Sequence, residues 1–167
     1  ADPLKQRAED NDVVLISDVD EIPSPQVVQY FKDMKNGRVF LLQLECYYYY
    51  LNNRKAPGSA GSPGTVMGRW RELKNFRPQQ WSERRGSLPH VPGGGWHFSY
   101  LGGPQQIAGK ITAFAHQEYN TPYWTDLKRI EECLRENKDL FERPEPREQL
   151  TTVPLDDTFP LPVLRDP

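Results

Sequence analysis

Asp12-Val13-Val14-Leu15-Ile16-Ser17-Asp18-Val19-Asp20-Glu21-Ile22-Pro23 is the stretch from which the fold of this chain can be worked out. Its four apolar, mostly β-branched residues at 13–16 predict a short strand buried on both faces, as in a parallel sheet covered by helices. An acidic turn at 17–23 comes directly after this strand. Since ligands in open α/β sheets bind beyond the carboxyl ends of the strands, the turn is the candidate site.

A helix and a second strand follow the acidic turn. Ser24 is placed to cap the helix, Pro25 to be its first residue, and Gly37 to lie just past its end. Residues 38–45 then predict a strand that runs on into four consecutive tyrosines at 47–50. The order strand, helix, strand predicts an α/β fold. Alternation along the strand would bury two of the four tyrosines, which leaves at most two to contact a ligand.

The rest of the chain divides into loops, a glycine-rich stretch and two helical patterns. Residues 52–65 form a Gly/Pro/Ser loop and a candidate mobile flap. Glycine clusters within 92–103 flank aromatic residues and a histidine, so the backbone there can approach a ligand closely. Helices are predicted to open at Pro104 and at Thr121-Pro122. We expect one domain over 1–143, followed by a Pro-rich C-terminal arm at 144–167.

Composition excludes several functional classes. The 21 Lys and Arg residues against 23 Asp and Glu residues give a net charge of −2, so no overall field attracts nucleic acid or an anionic membrane. No apolar run approaches the roughly 18 residues of a membrane span, and no membrane segment is predicted in this chain. Cys46 and Cys133 lie in apolar patterns and are expected to be buried free thiols. The compartment therefore stays open.

Asp18 and Asp20 are the candidate metal ligands. Carboxylates at positions i and i+2 point to the same side while the chain stays extended, and oxygen ligands suit Mn²⁺ or Mg²⁺ when phosphate and water complete the coordination shell. Asp10-Asn11-Asp12 has the same spacing but precedes the strand, so spacing alone is weak evidence. The alternative for the second motif is a turn that only leads into the Ser24 cap. Glu21 would either support the metal ligands or brace the turn.

Several motifs together resemble glycosyltransferase family 17. They occur in order between about residues 12 and 142: Asp18-Val19-Asp20-Glu21-Ile22-Pro23, Leu73-Lys74-Asn75-Phe76-Arg77, Gly95-Trp96-His97-Phe98-Ser99-Tyr100, Lys110, and Phe114-Ala115-His116-Gln117-Glu118. The family includes the enzyme that adds the bisecting N-acetylglucosamine to N-glycans. The resemblance implies a GT-A-like, Rossmann-like α/β fold, a UDP-N-acetylglucosamine donor and a glycan or glycoprotein acceptor. It also implies Mn²⁺, or Mg²⁺, bound through Asp18 and Asp20, and inversion at the anomeric carbon.

The resemblance also bears on domain organisation and compartment. GT-A enzymes usually build the uridine pocket from strands that precede the Asp-x-Asp strand, and only about a dozen residues precede it here. We therefore expect residues 1–143 to be a portion of the catalytic domain that lacks its N-terminal strands. A eukaryotic member with an anchor elsewhere would lie in the Golgi lumen, and a bacterial one in the cytoplasm.

Further candidate residues follow from this hypothesis. The residues predicted to bind substrate are His97, Trp96, Lys110, Arg69 and Arg77. His97 would contact the diphosphate or the metal, Lys110 and the two arginines would pair with the diphosphate, and the tryptophan would stack on a sugar. A core histidine and plain surface charges are the alternatives.

The predicted proton acceptors are His116 and Glu118, with Glu45 as a rival. If the helix that contains Ile107 continues, His116 lies opposite its apolar stripe, which argues against a core histidine. A surface histidine is the remaining alternative to a role in the site.

Two other functions are open at this point. A metal-independent glycoside hydrolase needs two carboxyls that flank one bond at about 5–5.5 Å or about 6.5–9.5 Å. Asp18 and Asp20 are instead close enough to share a cation. A non-catalytic carbohydrate-binding module would use the aromatic residues and loops without a nucleotide. Chelation separates the transferase from the hydrolase, and metal-dependent UDP binding separates it from the module.

Overall fold

The structure is a computed structural model that describes residues 6–34, 37–56, 64–143 and 150–165. The chain forms two compact units: unit 1 comprises residues 1–45 and 62–97, and unit 2 comprises 46–61 and 98–167. The strands are β1 (Val13–Ile16), β2 (Glu21–Pro23), β3 (Phe40–Tyr48), β4 (Asn53–Lys55), β5 (Gly64–Arg69), β6 (His90–Ser99) and β7 (Leu150–Thr152). The helices are α1 (Pro25–Asp33), α2 (Trp70–Leu73), α3 (Pro78–Glu83), α4 (Pro104–Ala113), α5 (Leu127–Glu136) and α6 (Leu161–Arg165). The mixed α/β class is confirmed.

In unit 1, β5 pairs antiparallel with a strand on each side. Val13 of β1 lies opposite Arg69, and Phe40 of β3 lies opposite Met67. β1 and β3 therefore run in the same direction, as their connection through α1 predicts, but β5 lies between them. The expectation of a parallel sheet is wrong here, because a strand from 64–69 inserts antiparallel between the two, and a local pattern carries no information about that distant segment.

β1 is also more exposed than its sequence predicts. Its residues are partly buried or exposed, and Leu15 is 38% exposed. β1 stands at the end of the strand order, with β5 as its described neighbour. Burial on both faces was the wrong expectation, because a short apolar run has the same composition on an outer strand as on a central one.

Helix α1 begins where the sequence predicts. The Ser24 Oγ accepts a hydrogen bond from the N–H three residues later, and proline follows in the first helical turn. The helix ends at Asp33 rather than just before Gly37, because Met34 adopts an extended conformation. Its buried residue, Phe31, packs in a cluster with Leu42, Leu44 and Met67. The helix is thereby anchored to the sheet directly after the acidic turn.

Strand β2, which carries the end of the acidic turn, pairs antiparallel with β6. Glu21 lies opposite His97 and Pro23 lies opposite Gly95. Gly95 has φ +141°, and a Cβ at this position would lie 2.1 Å from the carbonyl oxygen of Ile22. Glycine is therefore required for the two strands to approach at this point. At Gly95 the backbone thus closely approaches β2.

In unit 2, the tyrosine run departs from simple alternation. Three of its four members are buried, Tyr47, Tyr48 and Tyr49, while Tyr50 is 53% exposed. The expectation that two would be buried is wrong, because β3 ends at Tyr48 and Tyr49 turns into the left-handed region at φ 70°. One tyrosine of the run is left with substantial exposure.

Helix α4 begins at Pro104 as predicted and buries Ile107 and Ile111 completely. It ends at Ala113, and Phe114 is extended. The prediction that a continued helix places His116 opposite the apolar stripe is therefore wrong.

Helix α5 begins at Leu127 rather than at Thr121-Pro122. The Asp126 carboxylate caps it by accepting from the backbone N–H of Arg129 at 2.8 Å, a stronger start signal than the upstream Thr-Pro pair. The spacing of Leu127, Ile130 and Leu134 predicts one apolar face of this helix, and Ile130 on that face is fully buried.

The remaining expectations concern loops, thiols and the tail. Residues 57–63, the centre of the candidate flap, lie outside the described residues, as do 144–149. The tail contributes β7, which pairs with β4, and helix α6. Cys46 and Cys133 are buried thiols that form no disulfide in the described structure, as predicted. Among the helices that the structure describes, none has the length and apolar character that a membrane crossing needs.

Candidate active site

The acidic turn of unit 1 is closed by Glu21. Its backbone N–H donates to the carbonyl oxygen of Asp18 at 3.1 Å, and its Oε2 accepts from the Asp18 N–H at 3.1 Å. The same Oε2 accepts from the Thr65 hydroxyl at 3.0 Å, and this hydroxyl is also 2.7 Å from the Ser17 Oγ. Two reciprocal bonds within the turn and one to β5 thus fix the conformation. Of the two roles open for Glu21, the bonds support that of a brace.

The Glu21 carboxylate is buried. Its side chain has no exposed surface, and among the described residues its Oε1 accepts no hydrogen bond. Burial raises the pKa of Glu21 above its ordinary value, and the charge of Arg85, whose Nη1 lies 3.8 Å from Oε1, opposes that rise. A buried carboxylate with one oxygen that lacks a hydrogen-bond partner among the described residues therefore closes the turn that carries the candidate metal ligands.

Asp18 lies at the open side of the turn. Its side chain is 61% exposed, and its Oδ2 accepts from the Nη1 of Arg85 at 3.3 Å. Val19, the next residue, is fully exposed. The Asp18 carboxylate is therefore accessible to a ligand while a single arginine holds it.

Asp20 is more enclosed and is paired with His97. Its Oδ2 lies 3.0 Å from the His97 Nε2, with side-chain exposures of 22% for the aspartate and 10% for the histidine. The register of β2 and β6 explains the pair, since His97 lies opposite Glu21, the residue that follows Asp20. His97 is thereby positioned to orient the second candidate metal ligand.

The donor set of the turn fits a hard divalent cation. Asp18 and Asp20 supply carboxylate oxygens, which Mn²⁺ and Mg²⁺ accept, and both side chains have some access to solvent. No group of three or more His, Cys, Asp and Glu side chains arranged to hold a metal ion occurs in the part of the chain that the structure describes. A cation bound by these two carboxylates needs further oxygens from phosphate or water.

Arg69 and Arg77 belong to unit 1 but do not contact the acidic turn in the described structure. Arg69 donates to the carbonyl oxygens of Asn11, Lys32 and Met34 at 2.6, 3.0 and 2.8 Å. Arg77 is exposed at the start of α3, where its backbone N–H donates to the Gln80 side chain. These contacts give Arg69 a structural role in joining three segments. Its binding to substrate stays a prediction, as does that of Arg77.

Trp96 lies on β6 opposite Ile22 and is partly buried. It neighbours His97 in sequence, and alternation along the strand directs the two side chains to opposite faces of the pair. A contact between Trp96 and a sugar stays a prediction.

The other predicted residues belong to unit 2. The Lys110 ammonium donates to the Ser99 Oγ at 2.6 Å and lies 4.7 Å from the centre of the Tyr100 ring. The Nδ1 of His116 is 2.9 Å from the Glu118 Oε1, and both side chains are more than 60% exposed. The backbone N–H of Glu118 and the imidazole lower the pKa of this carboxyl. Lowering the pKa makes Glu118 a weaker base, so its catalytic role stays a prediction.

Two residues that contact the acidic turn were not predicted from the sequence. Thr65 is 44 positions from Glu21, and Arg85 is 67 positions from Asp18. Neither belongs to a recognisable motif, and Arg85 stands next to another arginine from which sequence alone does not distinguish it. Only folding brings them to the turn.

The family comparison is consistent with the mixed α/β fold. The profile of glycosyltransferase family 17 matches residues 4–148, most of the chain. The chain belongs to glycosyltransferase family 17. Comparison with curated proteins and with solved structures returned no significant match.

Proposed function

We propose that this chain carries the site of a metal-dependent inverting transferase that moves N-acetylglucosamine from UDP-N-acetylglucosamine to a glycan hydroxyl. Family membership supports glycosyl transfer, with a sugar donor and an acceptor, as the general activity. The observation that carries the finer proposal is the acidic turn, in which a buried Glu21 braces Asp18 and His97 holds Asp20. A GT-A-like arrangement of the whole enzyme is part of the same proposal.

In this proposal Asp18 and Asp20 hold Mn²⁺ or Mg²⁺ together with the donor diphosphate. The ion, when bound, supplies Lewis-acid stabilisation of the negative charge on the leaving diphosphate. His97 keeps the Asp20 carboxylate in one orientation, and Glu21 keeps the turn from opening. Because the protein itself makes these contacts, Asp20 and the backbone of the turn need little reorganisation on binding.

The proton of the acceptor hydroxyl requires a base. His116 and Glu118 remain our candidates, because they form a histidine–carboxylate pair that is open to solvent. Glu45, exposed on β3, is the rival. Lys110, Trp96, Arg69 and Arg77 are proposed donor or acceptor contacts.

Family membership weighs against the two alternatives, the glycoside hydrolase and the carbohydrate-binding module. A glycoside hydrolase of the two-carboxylate kind needs no metal, whereas the match is to a transferase family. A carbohydrate-binding module would need no nucleotide.

The test is a transfer assay with UDP-N-acetylglucosamine and a panel of N-glycan acceptors, with and without EDTA. We expect transfer that EDTA abolishes and Mn²⁺ restores. Calorimetry with UDP should show binding only when Mn²⁺ is present. Transfer that persists in EDTA would contradict the metal-dependent mechanism, and glycan binding without any UDP binding would favour the module.

A further inference from the structure

Arg85 is a cationic residue at the acidic turn with guanidinium N–H groups that have no hydrogen-bond partner among the described residues. Its side chain is 19% exposed, and its Nη1 lies 3.3 Å from Asp18 Oδ2 and 3.8 Å from Glu21 Oε1. Its Nε and Nη2 are buried and have no hydrogen-bond partner among the described residues. One corner of the guanidinium therefore faces the carboxylates, while two donors are unsatisfied.

The two unsatisfied donors have a defined geometry. Nε and Nη2 share one edge of the planar guanidinium, the edge that takes two oxygens of one phosphate or carboxylate in a bidentate pair. Buried donors without partners are unfavourable, and an anion is the ligand that would satisfy both at once. A lysine would not offer this fork.

The contact with Asp18 has a second consequence. Arg85 supplies the positive charge beside the carboxylate that is proposed to bind a divalent cation. A cation that arrives alone must compete with this arginine for Asp18. A cation that arrives with a diphosphate supplies the arginine with a new anionic partner.

We propose that Arg85 is a diphosphate-binding residue that neutralises Asp18 through their contact and transfers its hydrogen bonds to the donor diphosphate when the metal–nucleotide complex binds. This inference rests on the proposed function and names a residue outside the motifs quoted above. It makes opposite predictions for the metal alone and for the metal with nucleotide.

The experiment compares the full chain with Arg85→Ala and Arg85→Lys, and uses Arg84→Ala as the control. Arg84 is the adjacent arginine, is exposed, and lies over the Phe76 ring rather than at the turn. Removing it changes the net charge by the same amount. Free Mn²⁺ is titrated by electron paramagnetic resonance, and UDP binding at saturating Mn²⁺ is measured by calorimetry.

We expect Arg85→Ala to bind Mn²⁺ alone about two- to fivefold more tightly, because a competing cation has gone. The same variant should bind UDP in the presence of Mn²⁺ about tenfold or more weakly, because two charge-assisted bonds are lost. Arg85→Lys should retain Mn²⁺ binding close to that of the parent chain and still lose UDP affinity. Arg84→Ala should change neither.

Three results would overturn the inference. Unchanged UDP affinity in both Arg85 variants would remove the diphosphate role. Weaker Mn²⁺ binding in Arg85→Ala would mean that the arginine supports the carboxylates rather than competing for them. Equal effects of Arg84→Ala and Arg85→Ala would reduce the role to overall charge.

Folding and the underlying function are checked separately. If Arg85→Ala unfolds, as circular dichroism would show, Arg85→Lys keeps a cation beside Glu21 and carries the test. If the unmodified chain binds no UDP with Mn²⁺, the proposed function itself fails, and the inference falls with it.

Discussion

Two Asp-x-Asp sequences, at residues 10–12 and 18–20, lie on either side of β1 in unit 1. In the first, Asp10 Oδ1 lies 2.7 Å from the Lys74 ammonium, and Asn11 Oδ1 accepts from Arg71 at 2.6 Å. Backbone bonds to residues 70 and 71 add to these contacts. The first motif thus ties the start of β1 to α2 and its C-terminal flank.

The second motif is held by its own turn and by two distant side chains. Glu21 closes its turn from a buried position, and His97 holds Asp20. A single arginine contacts Asp18, whose carboxylate stays mostly exposed. The comparison teaches that spacing does not make a site. The first motif pairs with basic side chains, while the second carries one exposed carboxylate and one held by a histidine, on a turn closed by a buried glutamate.

The largest expected effect tests this contrast directly. Asp18→Asn and Asp20→Asn should each lower glycosyl transfer by about 1,000-fold, since a lost metal ligand removes several kcal/mol of transition-state stabilisation. Asp10→Asn and Asp12→Asn are the matched controls and should retain activity. Rates are measured with saturating Mn²⁺, and circular dichroism checks the fold. Equal losses in both motifs would break the comparison.

Disruption of the close contact between β2 and β6 at Gly95 should have the next largest effect. Gly95→Ala should lower the free energy of unfolding by about 2–4 kcal/mol, because its Cβ would collide with the Ile22 carbonyl at a φ that only glycine favours. Gly109→Ala, on α4 with open space around it, is the control and should be neutral or stabilising. Urea unfolding measures both. A tolerated Gly95→Ala would show that β2 can shift without cost.

His97, the partner of Asp20, should affect how tightly the second motif binds Mn²⁺. His97→Gln should weaken Mn²⁺ binding by about tenfold, since partners that orient metal ligands typically contribute 10- to 100-fold. His90→Gln, on the same strand with an exposed contact to Gln43, should leave binding unchanged. Paramagnetic resonance titration measures both. An unchanged affinity in His97→Gln would assign the histidine to packing.

The smallest expected effect is on how the free energy of unfolding depends on pH. Burial raises the pKa of Glu21 in the folded state, so the protein gains stability from protonating this group in acid and loses that gain as pH rises through the raised pKa. The unfolding free energy of the parent chain minus that of Glu21→Gln should therefore be larger near pH 4 than at pH 7. Urea unfolding across this range provides the measurement. A difference that grows with pH would mean that Arg85 outweighs burial.

Local sequence was enough for several features. The start of α1 at the Ser24-Pro25 signal, the start of α4 at Pro104 and the strand at Val13–Ile16 depend on capping, proline geometry and short apolar runs, which act within a few residues. Family motifs in a fixed order were enough to indicate glycosyltransferase family 17. The same order directed attention to Asp18 and Asp20.

Tertiary structure alone decided the rest. The insertion of β5 between β1 and β3, and the approach of Thr65 and Arg85 to the acidic turn, join residues that are tens of positions apart. Sequence marks Asp10-Asn11-Asp12 and Asp18-Val19-Asp20 alike, because spacing is a local property. Their partners differ because burial, register and charge neighbours arise only when distant segments pack together.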